Sequence, residues 1–473
     1  PDPPVNYYYQ DDPNVAVGET WIQAPYSLTE NYKTYRFQSL HAWTVGQILL
    51  EGISVREKMT LFWHNHFVTG DISDPKFNYD YITLLRSSAL GNFRQLVKDI
   101  TINASMLRYL NGNQNTNVAP NENYARELLE LFTIGKGDLA GPGDYTTFTE
   151  TDVVEIAKVL TGWRDVGFNT QNPDVEVGSA YLQFRHDTST KQLSERFDNA
   201  VIANANEEEY KNLIDIIFLQ PQVARFISRK LYRWFVYYII DDEVETNVIE
   251  PMAQLLIDED FEVKPVLDAL FKSQHFYDIL QRGAMIKNPV DFLASILKPT
   301  EVQMPDPLFQ QYSAWLAIAQ TLPAMQMEIY NPPDVAGWKA YYQEPLFYRT
   351  WINSVTLPYR MSATDLMTTT GFMIGTNQVR IDVLTFVFTL DNPYDPNDLI
   401  DEWVAIFFPQ PITDNQRTFL KEALIPGLPD FEWTVEFTDY ASAPTNSALA
   451  AAVETKLRNL LKAMMSMPEF YLS

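Results

Sequence analysis

Two histidines two residues apart, His64 and His66 in the run Trp63-His64-Asn65-His66, have chemistry to offer, because imidazole titrates near neutral pH and is the commonest protein metal ligand. On a helix that spacing turns the two rings about 200° apart, so they cannot hold one ion between them. His66 falls among Val55, Met59, Phe62 and Trp63 and reads as a hydrogen-bonded core residue. His64 lies nearer Glu57 and Thr60 and is the better candidate for a catalytic base.

A second candidate lies in Asn121 to Ile134, where Glu127 and Glu130 stand one helical turn apart. Two carboxylates so placed hold a cation or raise one another's pKa for acid–base work. The plainer reading is a solvated face on which Glu122 pairs with Arg126 four residues on. His186-Asp187 offers a base beside an acid in an irregular segment, although an Asp there serves equally as a turn or helix cap. Arg225, Arg229 and Arg233 step by four along a helix, with Lys230 beside them. Such a stripe binds an anionic ligand such as a sulfated or uronic glycan, or pairs with carboxylates from other helices; guanidinium forks favour the internal pairing. Trp338, followed by Tyr341-Tyr342, offers rings that stack on a sugar or fill a core.

These residues sit in a helical pattern. Ser54-Val-Arg-Glu57 reads as a capping box opening a helix to about Phe67, and Thr149-Glu-Thr-Asp152 as another, ending near Gly162-Trp163. Helical texture also covers Tyr79 to Leu110 with a break at Gly91, Asn121 to Ile134 with a stop at Gly135, Glu207 to Ile240, and Val244 to Leu297. The expected fold is mainly α: a large multi-helix domain with irregular loop insertions and at most a small hairpin. Residues 1–38 read as an extended N-terminal arm, 39–352 as the main helical domain with a loop excursion over 165–205, and 353–473 as a C-terminal helical extension packed on it.

Composition narrows the function. The 473 residues carry 35 basic and 61 acidic side chains, a formal charge of -26, which repels phosphate backbones and sets nucleic acid aside as a partner. No stretch reaches the roughly 18–20 apolar residues of a membrane span. Cysteine is absent, which removes thiol nucleophiles and Cys-ligated metals, so a metal would need His, Asp, Glu and carbonyl ligands. No Gly-x-Ser-x-Gly elbow, phosphate-cradling loop or Gly-x-Gly-x-x-Gly fingerprint occurs, so the residues identify no cofactor and no metal.

Six ordered words carry a family likeness: Arg56-Glu-Lys-Met-Thr-Leu-Phe-Trp-His-Asn-His-Phe67, Pro120-Asn-Glu-Asn-Tyr-Ala-Arg-Glu-Leu-Leu-Glu-Leu-Phe-Thr-Ile-Gly135, Leu160-Thr-Gly-Trp163, His186-Asp187 with Lys191, Arg229-Lys-Leu-Tyr-Arg233, and Asp334-Val-Ala-Gly-Trp338. Together they resemble the bacterial domain of unknown function 1800 family, in the form found in Bacteroidetes. The resemblance implies a helical, exported protein at the cell envelope or beyond it, encoded beside a sulfatase-like hydrolase, and it implies no activity. A chain that opens on Pro1 then reads as one whose targeting segment has been removed.

Two functions follow as expectations. The first is an accessory or binding component of the cell envelope, acting with a partner protein such as that hydrolase or with a glycan. The second is a metal-assisted or carboxylate/His acid–base enzyme of hydrolase type, drawing His64, Glu127, Glu130, His186 and Asp187 into one cleft. Convergence of those side chains favours the second.

Overall fold

The computed structural model describes residues 2–8, 14–27, 32–142 and 144–473. Pro1 and Tyr9, the ends of the Pro- and Tyr-rich tract that opens the chain, lie outside them. The fold is mainly α, as the sequence predicts, and four two-stranded antiparallel sheets are its only paired strands among the described residues. None of the described helices is long and apolar enough to cross a membrane. Contacts divide the chain into two compact units, Pro1–Leu40, Glu51–Phe276 and Glu328–Phe347 in the first, and His41–Leu50, Tyr277–Met327 and Tyr348–Ser473 in the second.

The first unit takes α1 (Lys33–Leu50) as far as Leu40, then α2 (Arg56–His66), α3 (Pro75–Ser87), α4 (Phe93–Thr101) and α5 (Ala104–Tyr109). Asn and Asp residues between these helices act as caps: Asp74 accepts from the Lys76 N–H at 2.8 Å, Asn92 from Gln95 and Asn103 from Ser105. Each satisfies an amide that the first helical turn leaves free. Gly91 breaks the predicted run, as expected, and a second break falls at Ile102. Next come α6 (Asn123–Glu127), which continues as a π-helical turn over Leu128–Thr133, and α7 (Glu150–Val159). The Thr149 capping box is present, with the Asp152 side chain reciprocating.

The 165–205 excursion forms two small hairpins. Strands β3 (Trp163–Val166) and β4 (Gly178–Tyr181) make one, β5 (Lys191–Gln192) and β6 (Val201–Ile202) the other; β1 (Leu139–Gly141) and β2 (Asp144–Tyr145) precede them. Helices α8 (Glu209–Ile217), α9 (Pro221–Phe235), α10 (Asp242–Val244), α11 (Glu250–Asp258) and α12 (Val263–Lys272) complete the series in this unit.

The Ser54 capping box does not form. Ser54 Oγ accepts only from the Arg56 N–H, the Glu57 N–H goes to the Glu51 carboxylate, and the Glu57 carboxylate is taken by Arg86 through two bonds of 2.9 and 2.7 Å. A forked guanidinium pairing from a neighbouring helix outcompetes the local cap.

The second unit holds α13 (Pro289–Leu297), α14 (Leu308–Ala319), α15 (Thr356–Thr368), the hairpin β7–β8 (Phe372–Ile374 and Asn377–Val379), α16 (Val383–Val387), α17 (Pro396–Phe407), α18 (Asp414–Leu424), α19 (Asp430–Ser442) and α20 (Ser447–Ser466). Its organiser is α20, whose Val453, Leu457, Leu460, Leu461 and Met464 recur at helical spacing and are wholly buried. That stripe packs against α15, α16, α18 and α19.

Candidate functional site

The Trp63-His64-Asn65-His66 word ends α2, and every residue from Met59 to His66 is buried. From Met59 onward the helix is therefore enclosed on all sides, and His64 has no solvent-facing polar surface to occupy. His64 has no exposed surface. Its Nε2 accepts the Tyr330 N–H at 3.0 Å, which places the ring proton on Nδ1, and Nδ1 donates to Tyr81 Oη at 2.8 Å. Tyr81 in turn donates to the Phe67 carbonyl at 2.8 Å. Burial pushes the imidazole pKa down to about 3, so the ring is neutral and both of its nitrogens are engaged.

Asn65 and His66 extend the same hub. Asn65 Oδ1 accepts the Trp338 N–H at 2.9 Å, across a turn that only Gly337 fits: its φ is +95° and an added Cβ would lie 2.3 Å from Asn65 Oδ1. His66 donates from Nε2 to the Phe132 carbonyl at 3.0 Å and accepts from Lys230 Nζ at Nδ1 at 3.1 Å. Lys230 also donates to the Leu131 carbonyl at 3.0 Å. The π-helical turn makes these acceptors available, because the Gly135 N–H reaches back to Leu129 and leaves the Leu131 oxygen open. Burial brings the Lys230 pKa down to about 7, with Arg233 adding to the effect. His66 is thus the hydrogen-bonded core histidine that its sequence neighbours indicated.

Four of the sequence words therefore meet at one place, and what they do there is pin loops. Trp338, whose ring the sequence allowed either to stack on a sugar or to fill a core, is 1% exposed and lies against His64. Tyr341 packs on Trp234 at a centroid separation of 4.3 Å.

The remaining candidates are dispersed among different partners. Glu130 pairs with Lys136 at 3.1 Å, and Arg126 bridges Glu122 and Glu150. Glu127 has no ion pair among the described residues, and burial, Glu130 and Asp334 raise its carboxyl above the ordinary range. His186 turns away from Asp187. Its Nε2 faces the buried Glu209 carboxylate at 3.1 Å and its Nδ1 the Thr161 carbonyl at 2.9 Å. Lys191 meets the other Glu209 oxygen at 2.6 Å. Asp187 accepts from the Ser189 N–H at 2.8 Å, as the turn cap that its sequence setting allowed.

Both His186 nitrogens face acceptors, a setting that favours the protonated ring. Burial opposes that charge, and the bonds to Glu209 and Thr161 outweigh burial and raise the pKa. In the arginine stripe, Arg225 pairs with Glu250 at 2.7 Å, Arg229 takes Glu245 through Nε and Nη2, and Arg233 donates to the Tyr238 carbonyl. Among the described residues no group of three His, Asp or Glu side chains has the arrangement to hold a metal ion.

This unit also holds an open polar site. A cleft of about 610 Å³ lies where the π-helical turn, the β1–β2 hairpin, the short helix at Glu195–Phe197 and the start of α9 meet. Lys136, Arg196 and Arg229 bring three cations to it and Asp138 one carboxylate. Gln220 and Gln222, flanking Pro221 at the head of α9, also line it, and neither side chain has a hydrogen-bond partner among the described residues. Arg229 is the one member that the sequence had singled out. The missing signal was Gln220 itself, an N-cap position whose side chain makes no cap, set before a proline that has no amide to be capped.

A family model described as Protein of unknown function (DUF1800) matches residues 9–472, so the chain belongs to that family. No curated protein and no solved structure matches it.

Proposed function

We propose that this member of the DUF1800 family is a binding protein for an acidic, hydroxyl-rich ligand, and that a uronic- or sulfate-bearing glycan is the class its polar cleft takes. The observation that carries the reading is the cleft: Arg196, the ion-paired Lys136 and Arg229, and two amides without a hydrogen-bond partner among the described residues line one opening in a chain of net charge -26. Guanidinium and ammonium groups bind carboxylate and sulfate, while the amides donate to and accept from sugar hydroxyls. Dispersal of the histidines and carboxylates among separate structural partners supports binding over catalysis.

The test is a calorimetric titration of the protein with oligogalacturonate, a sulfated oligosaccharide and neutral dextran. Acidic glycans should bind with an affinity that falls as salt rises, and dextran should not bind. Arg196→Ala should weaken binding by roughly tenfold, the loss of one charge-assisted contact. Equal affinity for dextran, or no effect of the substitution, would overturn the reading.

The proposal includes export to the envelope and service beside a sulfatase-like hydrolase, both supported by the family resemblance. Fractionation of cells expressing the gene, with co-purification of the encoded neighbour, tests them. An acid–base enzyme keeps one foothold in Glu127, whose carboxyl is raised and unpaired. Hydrolysis of an acidic glycan that is lost in Glu127→Gln would favour that alternative.

A further inference from the structure

The second unit contains a cavity of opposite character, about 450 Å³ in volume, walled by α13, α14, α15 and β7. Leu297, Ile318, Met325, Leu366 and Met367 are among its lining residues, and no charged side chain faces it. The volume is that of a small-molecule site, and a cavity with such walls does not hold water well. It opens where Tyr359 and Met373 are 52% and 57% exposed, apolar surface that packing within the unit leaves uncovered. At this mouth Tyr359 and Ser362 stand one turn apart on α15, and neither hydroxyl has a hydrogen-bond partner among the described residues.

We propose that this cavity binds a single aliphatic chain with an uncharged polar head, its methylenes among the Leu, Ile and Met walls and its head at the hydroxyls of Tyr359 and Ser362. Methionine side chains adapt to a flexible chain better than rigid branched walls do. The charges around the cavity select the head. No cation lines the cavity to neutralise a carboxylate, and the nearest acid along α15, Asp365, is already paired with Lys462 at 3.1 Å and so offers nothing to an ammonium. An alcohol or a neutral ester fits both conditions.

Primary alcohols of increasing length, with the matching carboxylates, titrated into the full chain against bound Nile red, test this assignment. Affinity should rise about fourfold per methylene, the transfer free energy of one buried CH₂, and level off once the cavity is filled. At pH 8 each carboxylate should bind roughly tenfold or more weakly than its alcohol, the cost of a charge without a partner. Ala317→Phe and Ala363→Phe fill the cavity from opposite walls, and each should remove binding while leaving the thermal transition in place. Met373→Asp, at the exposed mouth, gives the same readout with no demand on packing. Carboxylates binding as well as alcohols, affinity independent of length, or alcohol binding unchanged in all three variants would each overturn the proposal. So would a dimer in sedimentation equilibrium that Met373→Asp dissociates, because a second copy would then be what covers the mouth.

Discussion

His64 and His186 lie in the same unit, both buried and both bonded through each ring nitrogen, yet their surroundings shift the two rings in opposite directions, His64 toward the neutral form and His186 toward the protonated one. His64 sees a backbone N–H on one side and a hydroxyl on the other, and stays neutral. His186 sees a carboxylate and a carbonyl, which favour a proton on each nitrogen. The difference lies wholly in what the partners can donate or accept. Both rings have structural partners: one is a strut between α2 and the Tyr330 loop, the other a member of the buried cluster with Glu209 and Lys191.

The largest expected effect comes from the charged cluster. Glu209→Ala leaves the His186 imidazolium and the Lys191 ammonium buried without their carboxylate, which should cost about 3–5 kcal/mol in urea unfolding. His64→Ala should cost less, about 2–4 kcal/mol, because it opens a cavity and orphans the Tyr330 N–H but strands no charge. Should the two variants fall in the reverse order, the assignment of charge to His186 fails. A third step, Gly337→Ala, strains the turn that brings Trp338 to Asn65 and should cost about 1–3 kcal/mol. Gly427→Ala, at φ +64° with open space around the added Cβ, should cost only about 1 kcal/mol in the same assay.

Which parts of this were legible in the sequence follows from the reach of each interaction. Helical content, the Thr149 capping box, the breaks at Gly91 and Gly135 and the core placement of His66 are local properties that periodicity and turn chemistry report. The bonds of His64 span 266 residues to Tyr330, and His186 reaches Glu209 across a hairpin, so neither partner announces itself nearby. The Ser54 box failed for the same reason, Arg86 being 29 residues from Glu57. The π-helical turn was hidden because Leu-Leu-Glu-Leu-Phe carries ordinary α-helical spacing; only the tertiary demand of His66 and Lys230 for carbonyl oxygens reveals its use. The arginine stripe was read with both outcomes open, and the structure gives Arg225 and Arg229 their carboxylates from the segments after α10 while leaving one edge of Arg229 on the polar cleft.

The pH dependence of stability separates the two histidines by sign. For His186 the folded pKa lies above the ordinary value near 6.5, so the folded state binds more protons than the unfolded one just above that pH. Its contribution is complete below about pH 6.5 and is lost as pH rises through the folded pKa. For His64 the folded pKa is about 3, so the unfolded state binds more protons between the two values. That contribution is complete above about pH 6.5 and is lost as pH falls toward the folded value. Thermal unfolding followed from pH 4 to 9 should therefore show two limbs, and the variants should remove them one at a time. His186→Gln should flatten the alkaline limb and leave the acid limb, whereas His64→Gln should flatten part of the acid limb alone, His66 sharing the same depressed state and the same direction. An alkaline limb that survives in His186→Gln would mean that its proton is not held by Glu209, and the contrast between the two sites would collapse to one of packing.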